Sequence, residues 1–338
     1  MSTNAGKSWR KLRRFAGVFA AFCGLSACSR YSAFTLPAPD ASGPRGPFTF
    51  SALPGPLIDR SDAGDVLNPS VVRFHGAYLN LYSEFDGIWR TALATSQDGV
   101  KWEKRGRVLS PSGWEGDEIA ANGSALVVGE EILYWYQAGN PLKIALARSN
   151  DGVSWRKQPE AVVQTGPLGS FDERGVADPD VIRIGGEFYL FYLGQDRARR
   201  QRLGVARSSD GVSWEKLRSN PILELGATGA FDENGLGEPA VWSSGGSYWM
   251  LYTGRDHGER RRIGLARSSD SVHWERDFRF TPIAGNEAWD RDVVCDPSVE
   301  VMGDQVRVWF GGGDAPKPDH GIHGQIGLGL LKPAGVLK

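Results

Sequence analysis

Five positions hold the side chains that could do chemistry: Asn68, Asn122, Asp178, Glu238 and Asp296. They stand 54, 56, 60 and 58 residues apart, and each opens a short apolar stretch such as Asp178-Pro-Asp-Val-Ile or Glu238-Pro-Ala-Val-Trp. A near-constant pitch puts equivalent side chains at equivalent places in a repeated unit. Gathered at one place, three carboxyls and two amides could hold sugar hydroxyls or move a proton. Three carboxylates on one arc cannot all stay ionised cheaply, so one proton is expected to be held there near neutral pH.

The unit that must position them announces itself through a second repeat. Ala-Arg-Ser-Ser-Asp-Gly-Val-Ser-Trp ends at Trp214, and near copies end at Trp102, Trp155 and Trp274, 53, 59 and 60 residues apart. An alternating apolar run reaches Ser-x-Asp-Gly, whose Asp-Gly pair suits a tight hairpin turn, and the Trp can pack back across it. In the fourth copy Ser271 replaces glycine, so that turn is expected to be strained or differently shaped. These turns are read as scaffold.

Each unit runs in one order: an opening strand, a turn such as Gly185-Gly186, an aromatic alternating strand, a variable loop, a third strand into the hairpin and a short fourth strand. Nothing has a helical period. This is the pattern of an all-β, five-bladed β-propeller with four antiparallel strands per blade. The fifth unit lacks an outer strand, and residues 48–58 are expected to supply it and close the ring. Opening strands are innermost, so the five positions should ring one mouth of the channel. The loops between second and third strands should share that mouth, with Asp196, Arg255, Asp256 and His323 on them and Asp65 just upstream of Asn68. The crossovers holding Asp172, Asp232 and Asp290 are expected there too, together with a crowd of arginines from Arg197 to Arg262. The hairpins should lie on the opposite face.

Five blades, Asp-Pro or Glu-Pro at the inner strands and Ser-x-Asp-Gly-x-x-Trp hairpins resemble glycoside hydrolase family 43 and its relatives, families 32, 68 and 130, over residues 48–335. The resemblance implies a blade-one Asp as base or nucleophile, Asp178 as the carboxylate that stays charged to orient and tune, and Glu238 as the general acid that holds the proton. It likens His323 to a blade-five His that reaches the channel or a structural cation; no other cofactor or metal is expected. Blade one departs from the pattern: Asn68 is an amide and cannot take a proton from water. Asp296 or Asp65 could serve instead, with an inverting acid–base pair separated by roughly 6.5–9.5 Å. Three readings follow: a glycoside hydrolase first, a glycan-binding propeller without catalysis second, and a phosphorylase of the family 130 kind third. Asn68, Asn122, Asp65, Arg255, Asp256, Asp196 and His323 are the expected substrate contacts around Glu238, Asp178 and Asp296.

The first 27 residues carry five cations, no acids and an apolar run ending in Leu25-Ser26-Ala27-Cys28, which resembles a bacterial lipoprotein box. That implies residues 1–27 as a signal, lipid on Cys28, a Ser/Pro/Gly-rich tether over 28–47, a propeller over 48–338, and export to a membrane surface, the outer membrane being expected because Ser29 follows. Without the signal the chain has 34 basic and 40 acidic residues, which gives no footing for nucleic acid. Cys295 would be the one unmodified thiol, so an internal disulfide is excluded. The histidines lack zinc spacing, and neither a Gly-x-Ser-x-Gly elbow nor a phosphate-binding glycine loop is present. A carbohydrate is the expected partner of a monomeric protein.

Overall fold

The computed structural model describes residues 30–60 and 64–335. Signal and lipid expectations, Cys28 included, lie outside them. Apart from one 3-10 turn, Gly113–Glu115, the described elements are strands. Five inner strands, Val66–Phe74, Ile119–Val128, Gly175–Ile184, Gly235–Ser244 and Val293–Met302, each begin an antiparallel meander. Neighbouring inner strands touch in order, and the last touches the first. In the last meander Phe48–Ala52 pairs antiparallel with Gln325–Pro333, so chain start and chain end share one sheet.

The second strand of the third unit, expected to alternate, is instead apolar on both faces, and packing explains why. In Glu187–Gln195, Phe188, Leu190 and Tyr192 join one core and Tyr189, Phe191 and Leu193 the next. A strand buried on both faces has no polar side to alternate with. The ring stands on such stacked faces.

The crossovers hold the meanders apart at a fixed spacing. Phe171 lies on Gly194 and Gly204, where an added Cβ would come within 2.3 and 2.4 Å of its ring. Beside it Asp172, fully buried, accepts from Tyr192 and pairs with Lys216 at 2.5 Å. One unit later Phe231 and Asp232 repeat this with Tyr252 and Arg276, and one unit earlier Glu115 does so with Tyr136 and Lys157. Asp172, Asp232 and the buried Asp290 are therefore wedges between meanders. Their expected place at the mouth is corrected: charged groups this buried need their partners inside the packing.

The four Asp-Gly-type hairpins share their Ser and Asp bonds, and three share the Trp bond, the Trp102 indole N–H being buried without a partner. Ser208 Oγ accepts the Gly211 N–H at 2.9 Å, Asp210 accepts from Val212 and Ser213, and the Trp214 indole donates to Gly211. Ser271 keeps the same bonds at φ 62°, so the fourth turn has the common shape and carries the strain in one residue.

The tether expectation also changes. From Arg30 the chain lies on the domain: Arg30–Ser32 pairs in parallel with Glu215–Leu217, and Leu36 enters a core. Ser42 and Asp40 carbonyls then accept the Gly245 and Gly246 N–H groups. Ser42 and Asp40 here satisfy turn backbone, while the Pro37 and Pro44 carbonyls accept the Tyr248 and Ser244 hydroxyls.

Candidate functional site

At the same point of every inner strand the register slips by one residue, and the slipped residue is Asn68, Asn122, Asp178, Glu238 or Asp296. All five have φ between 48° and 54°. Such a bulge re-aims a side chain out of the pleat. The left-handed conformation is tolerated best by Asn and Asp, which hold four of the five places. Glu238 is the exception, a longer side chain held at a cost of about 1–2 kcal/mol. Strain at a site-facing residue is an observation from which function can be argued.

The five bulge residues form the floor of a cavity of about 470 Å³ whose wall includes Trp89, Gln137, Arg174, Gln201, Arg255 and Arg261. A second space of about 280 Å³ continues beneath them, lined by Pro69, Pro179, Pro239 and Pro297, with Asp180. The expected gathering of the five at one mouth is met.

Hydrogen bonds lock the floor from one meander to the next. Asn122 Nδ2 donates to Asp178 Oδ1 at 2.7 Å, and the Glu238 N–H donates to Asp178 Oδ2 at 3.2 Å. The Asn68 N–H donates to Asp296 Oδ2 at 3.2 Å. The remaining backbone N–H groups go to side chains from second strands: Asn122 to Ser83, Asp178 to Gln137 and Asp296 to Thr253. Ser83, Gln137 and Thr253 were not selected from the sequence, although they occupy corresponding places near the ends of the second strands of the first, second and fourth meanders.

Electrostatics concentrate around Glu238. Burial first, and then the Glu238 charge, raise Asp178 from 3.8 to about 7. The same two causes push Asp296 well above the carboxylate range. Its neighbour Cys295 is fully buried, donates to Asp296 Oδ2 at 3.1 Å and has its thiol pKa raised well above the ordinary value by burial. Arg261 faces Cys295, Glu238 and Asp296 and supplies the positive charge. Glu238 Oε2 is buried without a partner. A proton is thus held in this group, and Asp296 is a neighbour that keeps it there, which differs from the expectation that placed it on Glu238 alone. Asp178 was expected to stay charged; near neutral pH it titrates.

Donor atoms of Glu238, Cys295 and Asp296 lie within 4.8 Å of one another. That is closer than the roughly 6.5–9.5 Å needed to seat a water between acid and base, so Asp296 is corrected as the base of an inverting pair with Glu238. The three donors do not make a convincing cation site either, because Arg261 stands beside them.

Asp65 is corrected as well. Its Oδ2 accepts the Gly321 and Ile322 N–H groups and its Oδ1 that of Gly324, so it staples the last loop to the first strand, outside the cavity wall. His323, near which the resemblance placed a structural cation, pairs with Asp314 at 2.6 Å, half-exposed and off the wall. Asp196 is taken up by Arg200 and Arg202, and Asp256 by the Gly258 and Arg260 N–H groups. These two shape loops and do not line the cavity. Of the crowded arginines, Arg255 and Arg261 do; Arg197, Arg200, Arg202 and Arg260 are paired with Glu173, Asp196, Glu224 and Asp292.

Comparison with known proteins bears on this geometry. Residues 138–289 match the model of the glycosyl hydrolases family 32 N-terminal domain, a span that includes Asp178 and Glu238. An uncharacterised protein of Mycobacterium tuberculosis is 26% identical over 230 residues, 62% of this chain and 75% of that one. A probable sucrose-6-phosphate hydrolase of Vibrio cholerae is 27% identical over 186 residues, 53% of this chain but 32% of that one. Among solved structures, a glycoside hydrolase superposes with a TM-score of 0.68 at 18% identity, covering 84% of this chain and 93% of the other. The β-1,2-mannobiose phosphorylase of Listeria innocua gives 0.66 at 13% identity, covering 85% and 97%. The resemblance to propeller glycosidases of families 43 and 32 holds, and the fold is that of β-propeller glycoside hydrolases.

Proposed function

We propose that this protein is a five-bladed propeller that hydrolyses a glycosidic bond at its mouth, Glu238 giving its proton to the departing oxygen while a water adds to the anomeric carbon and loses its proton to solvent. The observation that carries this is the strained Glu238 carboxyl on the cavity floor, one oxygen of which is buried without a partner, set between two carboxyls of raised pKa. A carboxyl so placed can hold a proton and release it to a leaving group that would otherwise depart as an alkoxide. Asp178, braced by Asn122 and by the Glu238 N–H, fixes the height of that donor. Trp89 offers an apolar face for a sugar ring, while Asn68, Asn122 and Gln137 offer amides to its hydroxyls.

The deciding assay is release of reducing ends from arabinan, xylan, fructan and mannan by the protein lacking residues 1–27, alongside its Glu238→Gln variant. Loss of a general acid spares a substrate with an activated leaving group, such as a nitrophenyl glycoside, far more than a natural glycoside. Equal loss on both substrates would remove Glu238 from this role.

A second reading, glycan binding without cleavage, is favoured by one observation: blade one presents Asn68, and Asp65 is spent on backbone N–H groups. Saturable glycan binding with no product from any member of the panel would select it. We further propose that the protein is exported and lipid-anchored through Cys28.

A further inference from the structure

The cavity wall over the third and fourth meanders is built for negative charge. Arg255 leans across Gly235, where an added Cβ would lie 3.4 Å from its Nε. One nitrogen donates to Gln201 Oε1 at 2.7 Å and another to Glu259 at 3.2 Å, which holds the guanidinium plane in place. Its Nε is buried and has no partner. Arg174 reaches the same wall, is exposed, and its side chain makes no hydrogen bond or ion pair among the described residues. Gln195 and Gln201 stand with them. Arg261, by contrast, donates to the Lys317 and Pro318 carbonyls and lends its charge to the floor carboxylates.

An arginine fixed in orientation with a buried N–H left over, lining the same cavity as a second arginine whose side chain is unengaged, suits a planar or tetrahedral oxyanion better than a hydroxyl. A neutral sugar could use the spare Arg255 N–H; it would leave Arg174, which has no ion pair among the described residues, without a counter-charge. Resting on the carbohydrate reading above, we propose that the ligand brings an anionic oxygen group, a carboxylate or a phosphate, to Arg174 and Arg255. The group sits above Glu238 and selects which glycan, or which acceptor, is taken. Two sources share that chemistry: an acidic substituent on the sugar and free inorganic phosphate.

Matched pairs of probes separate these sources. Binding to the protein lacking residues 1–27 is titrated with galacturonic acid against galactose, with glucose 6-phosphate against glucose, and with sodium phosphate alone. Titrations on Glu238→Gln run beside the wild type, so binding is read whether or not cleavage occurs. The expected result is that at least one charged probe binds tenfold or more tightly than its neutral partner, or that phosphate alone binds. That advantage should fall about tenfold in both Arg174→Gln and Arg255→Gln. Phosphate binding alone assigns the site to a free anion; preference for a charged sugar assigns it to a substituent. Arg174 holds nothing in place, so its variant tests the site without risk to the fold. Equal affinity for charged and neutral probes with no phosphate binding, or a preference that survives Arg174→Gln and Arg255→Gln alike, would overturn the inference. Failure of Glu238→Gln to lose cleavage would count against the acid and leave the anion site standing.

Discussion

The Asn122 side-chain amide donates to Asp178 at 2.7 Å across the boundary between two meanders. This bond favours the ionised form of Asp178 and opposes the burial that lifts it to about 7. Asn122→Ala therefore raises Asp178 further. If cleavage needs Asp178 charged, the acidic limb of the kcat/KM profile moves to higher pH, while the activity above it changes less. A limb that stays in place would separate Asp178 ionisation from turnover.

Stability should fall as pH rises through neutrality. Asp178 and Asp180 are raised from 3.8 to about 7 in the folded protein, and Asp296 is raised as well, all chiefly by burial. The folded state holds these protons more tightly than the unfolded chain. Their contribution is complete below about pH 4 and is lost as pH climbs through 7, at about 1.4 kcal/mol for each pKa unit. Asp180 accepts the Val241 N–H at 2.8 Å, a bond an amide oxygen can keep. Asp180→Asn should then show a smaller drop in thermal midpoint between pH 5 and pH 8 than the wild type. An identical drop would mean Asp180 does not titrate there.

The wedge charges are expected to be costly to halve. Lys216 and Asp172 are 2% and 0% exposed, so Lys216→Ala leaves a buried carboxylate uncompensated. The expected loss is about 3–5 kcal/mol in denaturant unfolding, and Asp172→Leu combined with Lys216→Met should recover most of it. A Lys216→Ala loss within the range of an ordinary surface substitution would show the pair to be unimportant.

Ser271 is the one hairpin position where a small change should help. It holds φ 62° with a buried hydroxyl that has no partner, where the other three copies have glycine. Ser271→Gly should stabilise by about 1–2 kcal/mol, read as a higher denaturant midpoint at unchanged slope. A lower midpoint would mean the hydroxyl is satisfied in solution.

What could be read from the chain was whatever lies within one unit. The hairpins depend on contiguous residues, and the pitch of the five floor positions is plain because each slips its strand at the same step. Pairings that cross from one unit to the next were harder to see. Asp172 and Asp232 looked like mouth groups because their partners come 44 residues later. The signal was present: Lys157, Lys216 and Arg276 each follow a hairpin Trp by two positions. The segment before residue 48 had the composition of a linker, and composition does not record that its carbonyls meet the free N–H groups of Gly245 and Gly246. Arg261 was one arginine among many in the sequence; the structure puts it and Arg255 on the cavity wall and pairs Arg197, Arg200, Arg202 and Arg260 elsewhere.

Asn68 offers the sharpest test of what the site does. Its amide lines the cavity floor, and its φ of 52° is one that Asp shares at Asp178 and Asp296. Asn68→Asp therefore introduces a carboxylate without a new backbone demand. The wall it joins already holds Arg261, which lessens repulsion from Asp296, whose Oδ2 accepts the Asn68 N–H. If Glu238 is a working acid and only a base is missing, hydrolysis of a natural glycoside should rise, and a positioned general base is worth about 10²–10⁴-fold. The gain should vanish when Glu238→Gln is added. Unchanged hydrolysis in a folded Asn68→Asp protein that still binds glycan would instead favour a site that holds sugars without cutting them, or one whose acceptor needs no deprotonation.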